Sequence, residues 1–461
     1  MRNAAILAAL LLGSFAAADT HADEGLRPVT HEDLWTMRRL ATPVTSPDGE
    51  WAVVAVTEPA YKEEETVSDL WLVAVDGKTE PRRLTATNDS EDGVQWSPDG
   101  TRIAFSAKRG DDVSQIYVMD MTMPGEAQKI TSLATGATRP KWSPDSKRIA
   151  FESRVYPGKL TDEENAAEKK AREERDYNAT AYDIFPIRQW NRWRDDLQTH
   201  VFVQDAVPGA EARDLLAGTE FVARPGFAGV PSLSSESLES EWTPDGRALI
   251  ISATQNLDDA AHSTTVYHLY RLAATGGEPQ ALTGGNEWSC QSAKFAARGD
   301  ALYCEYEPVT EYAYNLTEIA RFEWPKSGAA SDFKAEPTLL TDGFDRSVSD
   351  MTLSADGRTI YFTAADEGRM RLFSVPAGGR GTVSALDPDS GGVYAGPQPA
   401  GRSLVARWED ATNPAELVRV DTRNGSHAFL TGFNRERAAA RDRPPFREFW
   451  FESSLGRRVH S

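Results

Sequence analysis

The chain has 461 residues, 70 of them acidic and 50 basic, for a formal net charge of −20. That balance argues against a nucleic-acid binder, which needs a dense Lys/Arg face to displace counterions, and against an electrostatic anchor on an anionic membrane. Apolar residues at 40% and charged residues at 26% fit a soluble globular protein rather than a disordered chain.

The chain opens with Met1-Arg2-Asn3, an apolar run over residues 4–15 and the small residues Ala16-Ala17-Ala18. This reads as a secretory signal peptide over residues 1–22, cleaved after Ala18 or Ala22, and it is too short to remain as a spanning helix. No later stretch approaches 18 consecutive apolar residues. The mature chain is therefore expected to be exported, to a periplasm or beyond, with no membrane anchor after cleavage.

From residue 28 to 433 one pattern recurs: a strand, a four-residue turn, two more strands and a closing Leu-Thr or its equivalent. The turns read Ser46-Pro47-Asp48-Gly49, Ser97-Pro98-Asp99-Gly100, Ser143-Pro144-Asp145-Ser146 and Thr243-Pro244-Asp245-Gly246. Weaker versions are Ala296-Ala297-Arg298-Gly299, Ser354-Ala355-Asp356-Gly357 and Gln398-Pro399-Ala400-Gly401. Proline presets φ, Asp or Ser bonds nearby amides, and glycine takes the positive φ that closes the turn. Trp96, Trp142 and Trp242 precede three turns, where large rings can fill the space between sheets. Seven turns with seven downstream strand pairs predict an all-β fold, a seven-bladed β-propeller of four-stranded blades.

The long gap between the third and fourth turns predicts an insertion in blade three, over residues 157–199. Thr161-Asp162-Glu163-Glu164 has the form of a capping box that opens a helix, with Glu168–Arg172 and Lys169–Glu173 as i,i+4 pairs. This helix is polar on every side and reads as a solvated surface helix. Beyond it, Arg188, Gln189, Trp190, Arg192 and Trp193 interleave aromatic rings with polar and cationic groups. They either contact a peptide or an adjoining domain, or pin the insertion onto the propeller.

Cys290 and Cys304 lie at equal distance from a turn around Ala297. Two strands of one hairpin set them side by side, and an oxidising compartment lets them bond, whereas a one-residue slip turns one thiol away. Such a bond closes a loop of about fifteen residues and is worth roughly 3 kcal/mol. There is no second cysteine pair and no histidine at ligand spacing, so neither metal nor other cofactor is expected. Residues 434–461 read as a linker followed by further strands. A Gly-x-Ser-x-Gly nucleophile elbow is absent, and none of the seven histidines stands in a recognisable Ser/Asp/His order, so no catalytic residue is assigned.

Taken in order, these features resemble the prolyl oligopeptidase family of serine peptidases, in its dipeptidyl-peptidase V and acylaminoacyl-peptidase branch. His31-Glu32-Asp33-Leu34-Trp35 up to the first turn is similar to the lead-in of that family's first blade. Pro186-Ile187-Arg188-Gln189-Trp190-Asn191-Arg192-Trp193 is similar to its blade-three segment, with Gln189 and Arg192 departing from the usual His and acidic residue. Phe446-Arg447-Glu448-Phe449-Trp450-Phe451 and Gly456-Arg457-Arg458-Val459-His460 resemble strands leading into the catalytic domain. The resemblance implies a non-catalytic propeller that gates access of short peptides to an exported dipeptidyl or acylaminoacyl exopeptidase. Its partner would be an α/β-hydrolase catalytic domain, missing from this chain or separately encoded. TolB-like propellers share the Ser-Pro-Asp-Gly repeats, so a stand-alone periplasmic protein-binding propeller is the alternative.

Overall fold

The strand Trp51–Glu58 is apolar at almost every position because both of its sides are buried. Ala52, Val54 and Val56 pack against Ala400, Val405, Leu417 and Leu430 of the last blade. The alternate residues Val53 and Ala55 pack against Val94, Ile103 and Phe105 of the second. A two-residue side-chain period with neighbours on both sides produces this continuous run. In the computed structural model this holds around the ring: seven apolar layers separate seven antiparallel sheets, one layer between each neighbouring pair. The structure describes residues 26–461 except 63–64, 111–112, 178, 183–184, 233–234, 313 and 387–390. The expected signal peptide lies outside the described residues.

The sheets form a seven-bladed propeller, each blade built from consecutive strands ordered first to fourth from the axis outward. The second and third strands are long, as in Arg102–Ala107 with Gln115–Asp120, and Thr359–Asp366 with Arg369–Pro376. The first strand of blade four is split into Ala228–Pro231 and Glu241–Trp242, both paired with Ala248–Thr254. In the turns, the Ser or Thr hydroxyl donates to the Asp two residues on, for example Ser97 to Asp99 at 2.6 Å and Thr243 to Asp245 at 2.7 Å. Blade seven differs from the sequence reading. Gln398, Pro399 and Ala400 belong to the strand Val393–Ala400, and Gly401-Arg402 makes the turn.

The tryptophans bind neighbouring blades together. Trp96, Trp142 and Trp242 donate their indole N–H to the carbonyls of Val44, Gln95 and Lys141, each in the preceding blade. Arg102 and Arg148 then reach forward, lying 4.6 and 5.0 Å over the rings of Trp142 and Trp242. Each also donates to a turn carbonyl of the next blade, Ser146 and Gly246. Cation–π stacking and a charge-assisted hydrogen bond thus repeat on the apolar layer.

The blade-three insertion runs between the strands Arg148–Val155 and Gln198–Asp205. Its helix, Asp162–Glu173, begins at the capping box of Thr161 and Glu164. Lacking an apolar face, it is held by polar contacts. Asn165 is buried and accepts from the Tyr156 amide, Asp162 accepts from the Ala134 amide, and Arg172 pairs with Glu168 and Asp196. Lys169 does not form the expected rung with Glu173 but lines a cavity, and Lys170–Glu174 forms the second rung at 3.8 Å.

First and last blades share no strand, so side chains close the ring. Asn434 is the main clip: its Oδ1 accepts from Arg38 N at 2.9 Å and its Nδ2 donates to Arg38 O at 3.0 Å. Buried Glu416 holds this segment, accepting from Thr431 Oγ1 and from the amides of Phe433 and Asn434. Asp33 caps its helix at Thr30 and binds both Arg27 and Arg441. Removing a clip with both partners in the seam leaves unpaired backbone groups, at about 1–3 kcal/mol. Asn434→Ala is therefore expected to lower the melting temperature and speed amide exchange at residues 38–45, with blade four unchanged. Hydrogen exchange read by mass spectrometry checks this, and unaltered exchange at 38–45 would refute the closure role.

Candidate functional site

The axial channel is walled by the first strands. Their register breaks at one place in blade after blade: between Asp92 and Gln95, Thr138 and Lys141, Gln291 and Lys294, Ser349 and Thr352, and Ala395 and Gln398. At each break one residue takes a positive φ: Gly93, Arg139, Ser292, Asp350 and Gly396, joined in blade four by Glu239. All sit four residues before the turn's opening residue, as Thr42 does in blade one. These bulges turn backbone and side chains toward the axis. They also interlock: Ser292 N donates to Glu239 at 2.8 Å, and Gly396 N to Asp350 at 2.9 Å. Gly396 admits no side chain, since a Cβ would lie 2.5 Å from the Thr42 side chain.

Under the insertion the channel opens into a chamber of about 720 Å³ between blades two, three and four. Val113, Ala137, Leu197 and Tyr156 provide apolar wall; Asp92, Arg139, Glu152 and Glu236 provide charge. Glu152 is buried and accepts from Ser237 Oγ and Leu238 N, both at 2.9 Å, with Arg139 Nη1 3.2 Å from its other oxygen. Burial raises its pKa and Arg139 opposes that rise. Glu236, ion-paired with Arg194, is also raised by burial. Asp92 has its surface open to the chamber but is otherwise enclosed by protein, and this desolvation raises its carboxyl against the pull of Arg139. The arrangement is a polar pocket with paired charges and apolar flanks, suited to holding an extended polar chain.

The sequence-singled residues gather at the chamber's rim. Arg188–Gln189 pairs with Arg192–Trp193 as a two-stranded hairpin. Trp190 and Trp193 are 75% and 67% exposed, and Arg188 stacks 5.9 Å from the Trp193 ring. Gln189 donates to Ser232 O at 2.7 Å. Gln189, Arg192 and Trp193 border a smaller cavity with Arg194 and Glu236, while Arg188 and Trp190 stand outside it. Asp183 and Ile184 of that segment lie outside the described residues. Cys290 and Cys304 are disulfide-bonded with Cα atoms 5.7 Å apart. Cys290 stands opposite Tyr306, so the bond runs diagonally across the hairpin. Among the described residues no cluster of His, Cys, Asp or Glu is arranged to hold a metal.

Sequence reasoning missed Asp92, Arg139, Lys141, Glu152, Glu239, Lys294 and Glu305. The offset of four residues from the turn was the available signal for the bulge positions. Glu305 faces the channel, and burial, with the nearby Glu239 charge, pushes its pKa up to about 7. In the unfolded chain this carboxyl titrates near its ordinary value, about 4.3. Between those pH values the folded state holds the extra proton, so stability falls as pH rises through the window and stays lower above it. Glu305→Gln should consequently be more stable than the parent at pH 8, by about 2 kcal/mol, and melt at a higher temperature, with the difference vanishing near pH 4. Melting curves across that range test it; a gap independent of pH would show that the carboxyl is not strained by its site.

The chain matches no family model. It is homologous to dipeptidyl-peptidase 5 of Porphyromonas gingivalis, with 25% identity over 446 residues, covering 93% of this chain and 59% of the relative. Among solved structures, uncomplexed acylaminoacyl peptidase from Pyrococcus horikoshii superposes with a TM-score of 0.65 at 19% identity, over 93% of this chain and 58% of that one. The β-propeller domain of the Trilobed protease from Pyrococcus furiosus gives 0.56 at 16% identity, over 86% of this chain and 99% of the domain. The chain thus spans a little under three-fifths of the two full-length peptidases and has the fold of peptidase propeller domains.

Proposed function

We propose that these residues form the non-catalytic, substrate-gating propeller of an exported serine exopeptidase of dipeptidyl or acylaminoacyl type, acting in peptide breakdown. The nucleophile would come from an α/β-hydrolase part outside them. The main support is a segregation of exposed apolar groups. Among the described residues, every exposed large apolar side chain except Met123 and Val207 lies in the chain ends or on the face where second strands connect to third. Trp35, Tyr61, Trp190, Trp193 and Tyr314 stand there, as does the terminal segment with Phe446, Phe449 and Phe451. The opposite face carries the polar Ser-Pro-Asp-Gly turns. An apolar face of this extent on an acidic protein is the mark of a docking surface, and the peptide-sized chamber opens on the same side. Export is supported by the apolar run at residues 4–15 and by the disulfide.

In such an enzyme the propeller would cover the active site, and the chamber would admit short unfolded peptides while excluding folded chains. The isolated chain is expected to show no turnover of dipeptidyl or acylaminoacyl reporter substrates and no labelling by a serine-directed fluorophosphonate. Turnover with one labelled serine would sink the non-catalytic reading. Deleting residues 444–461 is expected to reduce self-association, measured by light scattering, because it removes the exposed rings of Phe446, Phe449 and Phe451. Unchanged scattering would remove that segment from the docking surface.

A further inference from the structure

The apolar layer between blades three and four is not sealed where the insertion crosses it. Val222 and Phe227 belong to that layer, yet both also line a cavity of about 300 Å³. Pro157 and Leu197 of the insertion and Leu257 of blade four add further apolar wall. We propose that this cavity is a side-chain pocket of the chamber, which takes one large apolar side chain of a peptide lying across Arg154 and Thr199.

Directional contacts frame the pocket. Gln198 Nε2 donates to Val222 O at 2.8 Å, Leu257 N to Gly226 O at 3.0 Å, and Arg194 pairs with Glu236. Gly226 has a φ of +82°, and a Cβ there would collide with Asp258, so the two loops approach this closely only through glycine. The rim leaves no charge to be met. Asp195, Asp196 and Glu236 are ion-paired with Arg154, Arg172 and Arg194, and Asp258 is matched in sign by Arg224. Atoms around an apolar hollow lack contacts on one side, so with a balanced rim the hollow favours an uncharged apolar group.

The occupant follows from continuity with the chamber. Leu197 and Glu236 line both cavities, so the two meet at these side chains. Arg154 and Thr199 stand opposite one another on adjacent strands of blade three, and both line the chamber. Thr199 is 2% exposed, and among the described residues its Oγ1 and the Nε of Arg154 have no hydrogen-bond partner. Buried polar atoms are costly when unpaired, and a peptide amide brings a donor and an acceptor together. Volume selects the side chain: a benzene ring is held by an apolar cavity of about 150 Å³, so the pocket has room for an aromatic or large aliphatic group. The pocket rests on the reading of the chamber as a peptide site and adds to it the side chain selected there.

The test is calorimetric titration of the whole chain with three blocked peptides: N-acetyl-Ala-Phe-Ala-amide, N-acetyl-trialanine amide and N-acetyl-Ala-Glu-Ala-amide. The phenylalanyl peptide is expected to bind at least tenfold more tightly than the other two, as burial of its ring implies. Ala223→Trp and Leu257→Trp, each placing a ring at the pocket wall, should remove that advantage and leave the affinity for trialanine amide unchanged. Thr199→Val should weaken the phenylalanyl and trialanine peptides by the same factor. Unchanged melting temperatures would establish that the variants fold. Equal affinity for the phenylalanyl and either other peptide, or an advantage that survives in both Trp variants, would overturn the pocket and leave peptide binding by the chamber standing. Undetectable binding of every peptide at millimolar concentration would overturn both.

Discussion

Closure of the ring is the constraint on which the rest depends. No blade can bury both of its faces alone, because each sheet presents apolar side chains on alternating sides and needs a neighbour on each. Seven sheets supply six internal seams as a matter of sequence order, and the seventh must join residues about four hundred positions apart. The chain closes it without a shared strand. An apolar layer of Leu40, Val54, Val56, Ala400, Val405 and Leu417 does most of the burying. The directional part is polar: Thr45 Oγ1 donates to Pro399 O at 2.7 Å, Arg407 to Leu40 O at 2.8 Å, and Arg419 to Val75 O at 3.2 Å. Asn434 and Asp33 then tie the flanking segments to one another, and Arg27–Pro28 pairs in parallel with Arg441–Asp442.

With the ring closed, the first strands are forced together about the axis, and the bulges make that approach possible. A straight inner strand would carry its regular alternation past the axis, whereas one extra residue per strand re-aims the backbone and increases its twist. Four of these positions hold a non-glycine residue at positive φ: Arg139, Glu239, Ser292 and Asp350. Such conformations cost energy for L-residues and persist only where the surroundings repay them. Here the repayment is visible in the amides that donate to Glu239 and Asp350, and in the bonds of Arg139 to Glu152 and Ser235. Channel charge and channel shape are therefore one feature, since the side chains facing the axis do so because the bulge turns them.

The blades were legible in the sequence because their signals are local. Pro, Asp and Gly within four residues define a turn, and a run such as Ile103-Ala104-Phe105 defines the strand behind it. Blade seven shows the limit of that logic. Gln398-Pro399-Ala400-Gly401 has the spacing of a turn, yet Pro399 is accommodated in the innermost strand, a sheet edge where a missing N–H is tolerated. The helix was legible through its capping box, but its attachment was not, because Asn165, Arg172 and Asp162 bind partners brought near only by the fold. The chamber and channel were the least legible. Asp92, Arg139, Lys141, Glu152 and Lys294 come from blades two, three and five, and each looks like an ordinary charged residue on a strand. Only Arg139, four residues before its turn, and Lys141 and Lys294, two before theirs, stand at offsets that recur from blade to blade.

The concentration of features on one face follows from strand parity. Four antiparallel strands per blade carry the chain away from a face and back twice, so every blade begins and ends on the same side. First-to-second and third-to-fourth connections then fall on the opposite side, which explains why the Ser-Pro-Asp-Gly turns gather on one face. Second-to-third connections share their side with both chain ends, and that is where the insertion of blade three, the Trp35 and Tyr61 rings and the terminal hairpin Trp450–Glu452 with Arg458–His460 are found. Arg369, the first residue of the third strand of blade six, binds Glu448 of the terminal segment and holds it to this side. An insertion elsewhere in a blade would have emerged on the polar face, away from any segment that the ends lead to. The even strand count thus forces the chamber, its aromatic rim and the chain ends onto one surface before any individual side chain has been chosen.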